Sequence, residues 1–61
     1  PLLESKDPLI RGESAELLGR LKAREFIPQI KALLADPDES VRRQAATALR
    51  ILEEPDRPGR R

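Results

Sequence analysis

Cysteine and histidine are both missing from these 61 residues, as are tryptophan, tyrosine and methionine, and Phe26 is the one aromatic side chain. Without cysteine there is no disulfide framework, and without histidine as well the usual zinc and haem ligands are gone. One aromatic residue makes a poor platform for stacking bases. No apolar run is long enough to span a bilayer. Lys plus Arg (12) nearly cancel Asp plus Glu (11), leaving a formal charge of +1. So balanced a chain has no strong field to draw a polyanion, which argues against nucleic acid as the partner. The absence of cysteine and of a visible signal peptide leads to the expectation of a cytoplasmic location.

Enzyme chemistry lacks its common parts. Proton transfer would fall to carboxylates and lysines, and the acidic residues sit mostly at helix caps and on exposed faces, where nothing would drive their pKa values apart. Ser5, Ser14 and Ser40 have no histidine to activate them. No Gly-rich phosphate loop is present. No catalytic, cofactor-binding or metal-ligating residues are expected, and the chain is read as not an enzyme.

What is present is a pattern written twice. Setting residue n against n+31 aligns Leu2 with Leu33, Leu3 with Leu34, Asp7 with Asp38 and Arg11 with Arg42. Ala15 with Ala46, Leu18 with Leu49 and Leu21 with Leu52 follow, and Ile10 falls on Val41. A period of this length is the mark of helical arrays, in which one unit cannot bury its apolar face alone.

Three helices are expected, at about 8–21, 24–35 and 38–53. Asp7 is a good N-cap, with Pro8 at the first helical position, where a missing N–H costs nothing. Ile10, Ser14, Leu17, Leu18 and Leu21 follow at the spacing of one helix face. In the second helix, Phe26, Ile27, Ile30, Leu33 and Leu34 form the stripe. Pro28 implies either a kink or a start only at Ile27. The third helix has two competing caps, Asp36 with Glu39 as a capping box and Asp38 in the 31-residue register, and Asp38 is favoured. Val41, Ala45, Ala48, Leu49 and Leu52 then face inward. Glu54-Pro55 stops the helix. Residues 54–61, carrying Arg57, Arg60 and Arg61, read as a disordered basic tail, and the opening Pro1–Ser5 as the last turn of a preceding helix.

The stretch from Leu18 to Leu52 resembles HEAT repeats, in the short form found in phycobilin lyase subunits and bacterial scaffold proteins. The likeness rests on Leu18, Gly19 and Leu21; Ile27, Pro28 and Ile30; Leu33, Leu34 and Asp36; and Val41, Arg42, Ala45, Ala46 and Leu49. Lys22-Ala23-Arg24 replaces the family's Gly-Asp-Pro turn, Ser5 stands where Asp36 stands in the second copy, and Arg50 replaces the equivalent of Gly19.

The resemblance implies an all-α, α/α superhelix of about one and a half repeats with antiparallel helices. It also implies that an arginine such as Arg42 is tied to an aspartate such as Asp36 along the stack, with Ser5 breaking the pattern for Arg11. The local alternatives are the i,i+4 pairs Asp7–Arg11 and Asp38–Arg42. Arg43, Thr47 and Arg50 would form one outward row on the third helix, with Gly12, Glu16 and Gly19 at the equivalent places on the first, the glycines open to close approach. Glu16, Arg43, Thr47 and Arg50 are therefore the candidate partner-binding residues, and Asp7, Arg11, Pro28, Asp36, Asp38 and Arg42 the structural ones. The implied function is a non-enzymatic protein–protein interaction scaffold, self-associating through its repeat ends. The alternatives are a HEAT-like module on the phosphate backbone of nucleic acid and a non-catalytic segment of a lyase-type enzyme subunit.

Overall fold

A computed structural model describes residues 2–54, and among them every regular element is helical. A 3-10 turn at Leu2–Glu4 leads to α1 (Pro8–Arg20). A second 3-10 turn at Arg24–Phe26 opens α2 (Ile27–Ala32), which tightens into a third at Leu33–Ala35. The last helix is α3 (Glu39–Glu53). The expected basic tail lies outside the described residues apart from Glu54.

Asp7 caps α1 in extended conformation, its Oδ1 accepting the Leu9 N–H at 3.0 Å. At the other end Lys22 N–H donates to the Gly19 carbonyl at 3.1 Å and Ala23 N–H to that of Leu18 at 3.0 Å. This paired closure needs a left-handed residue at its hinge. Lys22 takes that place, with φ of 58° and no glycine to relieve it. Asp38 caps α3, its Oδ1 accepting from Ser40 N–H at 2.8 Å and Val41 N–H at 3.3 Å. Asp36 shapes the turn before it, where its Oδ1 accepts the Asp38 N–H at 2.9 Å.

In the stretch expected as a helix at 24–35 the α-helix begins at Ile27, the later of the two starts that Pro28 allowed, with 3-10 turns on either side of it. Pro28 has no N–H to give, so α2 starts with the proline in its first turn, and the residues before it wind as a 3-10 turn. The bond from Leu33 N–H to Ile30 and Lys31 carbonyls tightens the far end. Pairings between the helices define their directions. Gly12 and Glu16 lie against Gln44 and Gly19 against Ala48, so α1 and α3 run the same way side by side. Arg24 Nε donates to the Leu52 carbonyl at the end of α3 at 3.1 Å, while Asp36 sits at its start, so α2 runs back antiparallel to it.

The inward face expected of α3 is the one observed. Val41, Ala45, Ala48, Leu49 and Leu52 are all buried, against Ile30 and Leu33 of the α2 segment and Ala15 of α1. The face expected of α1 is not. Ile10, Leu17 and Leu21 are 38%, 51% and 65% exposed, Leu18 is half-buried, and only Ser14 of that set is buried. What α1 buries is Gly12, Ala15 and Gly19, where α3 comes in. The reason lies in the register. The α3 stripe has α1 beside it and α2 before it, whereas the matching stripe of α1 has only the 3-10 turn at Leu2–Glu4. Leu34, assigned to the α2 stripe, is likewise exposed.

Candidate functional site

Four of the residues singled out as structural come together at one end of the helices. The Arg11 guanidinium grips the Asp36 carboxylate with two bonds, Nε to Oδ2 at 2.7 Å and Nη2 to Oδ1 at 3.0 Å. Its Nη1 donates to the Ser5 carbonyl at 2.7 Å. Arg42 repeats the last bond in the next unit, donating from Nη1 to the Asp36 carbonyl. Each arginine thus holds the carbonyl six residues before it, and Arg11 also reaches across to the following repeat. The hydrogen bonds from Arg11 hold the Asp36 carboxyl below its ordinary value of 3.8, with the Asp38 N–H adding to the effect and burial opposing it. The same pairing raises the Arg11 guanidinium.

Two expectations are corrected here. Ser5 does not break the ladder for Arg11, because the aspartate that Arg11 takes belongs to the later repeat and Ser5 supplies only its carbonyl. Nor do Asp7–Arg11 and Asp38–Arg42 form i,i+4 ion pairs, since both aspartates turn their carboxylates to the cap amides of their own helices. A capping carboxylate points back over the first turn, away from a side chain four residues on. Pro28 takes part in starting α2 and touches none of this network.

Glu16, Arg43, Thr47 and Arg50 line the neighbouring helices. Arg43, Thr47 and Arg50 are exposed along α3, and Arg43 lies 3.8 Å from Glu39 in a solvent-screened pair. Glu16 is half-buried between Arg20, at 3.7 Å, and Gln44, whose Nε2 donates to it at 3.4 Å. The glycines expected beside Glu16 on an open face are not open. Gly12 and Gly19 are buried beneath α3, because a backbone without Cβ lets the second helix settle directly on it. Sequence reasoning missed Gln44, the Ser5 carbonyl and the Arg24 cap on α3. The Ser5 carbonyl was within reach of the 31-residue register, in which Ser5 matches Asp36; Gln44 and Arg24 carry no local signal.

An apolar recess of about 230 Å³ opens between Leu2, Leu3, Ser14, Leu17, Leu18 and Phe26. It occupies the place that α2 fills beside α3. Among the described residues no group of three acidic side chains is gathered as metal ligands would be, and no helix is long and apolar enough to cross a membrane.

Two side-by-side helices of equivalent sequence, joined by an antiparallel third and laced by an arginine bridging successive 31-residue units, define a helical-repeat module. The family model described as HEAT repeats matches residues 1–58, and the chain belongs to that family. It is similar to the deoxyhypusine hydroxylase of Eremothecium gossypii, with 44% identity over 46 residues. The match covers 75% of this chain and 14% of that protein, so the chain spans a small part of its curated relative's length. No solved structure matches it significantly.

Proposed function

We propose that this HEAT-repeat segment is a non-enzymatic interaction module that displays a helix-lined surface to a protein partner. The observation behind the reading is the two-sidedness of α3. Its inner face is locked by fully buried Val41, Ala45 and Ala48, and its outer row of Arg43, Thr47 and Arg50 is exposed. A rigid helix with its rotamer-rich arginines in solvent can meet a partner without reorganising its backbone. Arginine suits carboxylate-bearing surfaces through bidentate bonds. The partner favoured is therefore an acidic protein surface, with Glu16 at the border of the contact. The absence of cysteine supports a cytoplasmic setting, and the exposed Ile10, Leu17 and Leu21 flank supports self-association at that end of the repeat.

The test is charge reversal. Proteins captured by the intact chain should be lost from an Arg43→Glu, Arg50→Glu variant whose circular dichroism and melting temperature are unchanged. Retention of the same proteins by that variant argues against the reading. Binding to duplex DNA that weakens steeply with salt would favour the nucleic-acid alternative instead.

The likeness to deoxyhypusine hydroxylase supports a second reading, a repeat segment within an enzyme whose reacting groups lie outside these residues. Hydroxylation of deoxyhypusine by the complete parent protein would favour it, and an inactive, well-folded parent would not.

A further inference from the structure

The spacing between α1 and α3 depends on three small residues. A Cβ built on Gly19 would stand 3.0 Å from both the Cα and the Cβ of Ala48, so the helices touch there backbone to backbone. Ala15 beside it is completely buried, and Gly12 lies under Gln44. The 31-residue register carries this face onto α3 as Arg43, Ala46 and Arg50 in place of Gly12, Ala15 and Gly19. All three are exposed. Glu39 lies beside Arg43 at 3.8 Å.

We infer that the outer face of α3 closes the helical stack: a further repeat cannot add to it at the spacing by which α3 adds to α1. Gly19 lets the backbone of Ala48 reach van der Waals contact, and Arg50 in its place holds a neighbour off by its own Cβ and stem, while Arg43 fills with a charged side chain the room that Gly12 leaves to Gln44. Burying Arg43 and Arg50 under another helix would also desolvate two cations, of which, among the described residues, Arg43 has Glu39 beside it and Arg50 is in no ion pair. Polar outer faces are what end helical arrays in water. Arg42 does not speak for continuation, because its bond to the Asp36 carbonyl is the same local bond that Arg11 makes to Ser5. The stack therefore has a direction, growing on the Ile10, Leu17 and Leu21 side of α1 and stopping at α3. That leaves Arg43, Thr47 and Arg50 uncovered at the end of the array.

The test is an inserted repeat. A second copy of residues 24–54 placed directly after residue 54 of the full chain preserves the 31-residue period. It offers α3 the same helix face that α1 accepts. With Arg43 and Arg50 in place, the insert should leave the melting temperature of the chain unchanged and be cut first in limited proteolysis. With Arg43→Gly and Arg50→Gly in the first copy, the insert should dock, resist cleavage and raise the melting temperature by roughly 4–8 °C over the same variant without it. Arg50→Gly alone, which relieves the backbone contact, serves if the double variant is too weakened by glycine, and must show protection in the same direction. A rise of that size with both arginines present overturns the inference. So does the absence of any rise or protection once the glycines are introduced.

Discussion

Arg11 and Asp36, twenty-five residues apart, meet through paired hydrogen bonds of 2.7 and 3.0 Å that join one repeat to the next. The Asp36 carboxyl is held below its ordinary value of 3.8 by that pairing. A carboxyl lowered on folding stabilises the native state fully above its unfolded value, and the gain is lost as pH falls through the lower, folded value. Stability should therefore be level above about pH 5 and fall as the pH drops through 4 and below. Asp36→Asn should be less stable at neutral pH and approach the parent chain in acid. Urea melts at pH 7 and pH 3 measure the difference; a gap of equal size at both would count against the pairing.

Alanine at the two helix glycines should act in opposite directions. At Gly12 the new methyl meets the end of the Gln44 side chain, which can swing aside, so the helix-propensity gain of up to about 1 kcal/mol survives in large part. At Gly19 it meets the backbone of Ala48 at 3.0 Å, which cannot move without parting the helices. Gly19→Ala should cost roughly 1–3 kcal/mol net, as overpacking does. Chemical denaturation of the two variants decides this, and a stabilised Gly19→Ala would mean that the helices are not in backbone contact.

Lys22 holds the left-handed place in the closure of α1, with φ of 58°. Its side chain carries a steric cost there that glycine does not, partly offset by the greater freedom of glycine in the unfolded chain. Lys22→Gly should stabilise by roughly 0.5–1 kcal/mol, seen as a rise in melting temperature. A loss would show that Lys22 makes a contact of its own.

Leu21 and Leu52 occupy one register position, yet the first is 65% exposed and the second 1%. Leu52→Ala should cost about 2–5 kcal/mol through lost burial and a cavity, enough to unfold so small a domain. Leu21→Ala should stay within about 0.5 kcal/mol of the parent chain. Parallel thermal melts are sufficient, and equal losses would imply that something covers Leu21 in solution.

Much of the local structure was legible in the residue order. Asp7-Pro8 and Asp38 announce their helix starts because a cap bond spans two or three residues and needs no distant partner. The inner stripe of α3 follows from periodicity because that helix has neighbours on both sides that the stripe serves. The family likeness, read from Leu-Gly-x-Leu, Ile-Pro and Val-Arg, led to the architecture observed. The same periodicity misled for α1, where the greasier stripe of Ile10, Leu17 and Leu21 lies open and the glycine-alanine face is buried. Amphipathic spacing states which residues can share a face, and says nothing of whether a neighbour stands opposite it.

The sequence by itself determined three helical stretches, two aspartate caps and a unit repeated every 31 residues, since capping and helix periodicity act within a few bonds of the chain. Only the tertiary structure decided that Arg11 takes its carboxylate from Asp36, that Gly19 touches Ala48, and that Leu21 lies open while Leu52 is buried. Those are relations between segments far apart in the chain, and their energies depend on which faces meet.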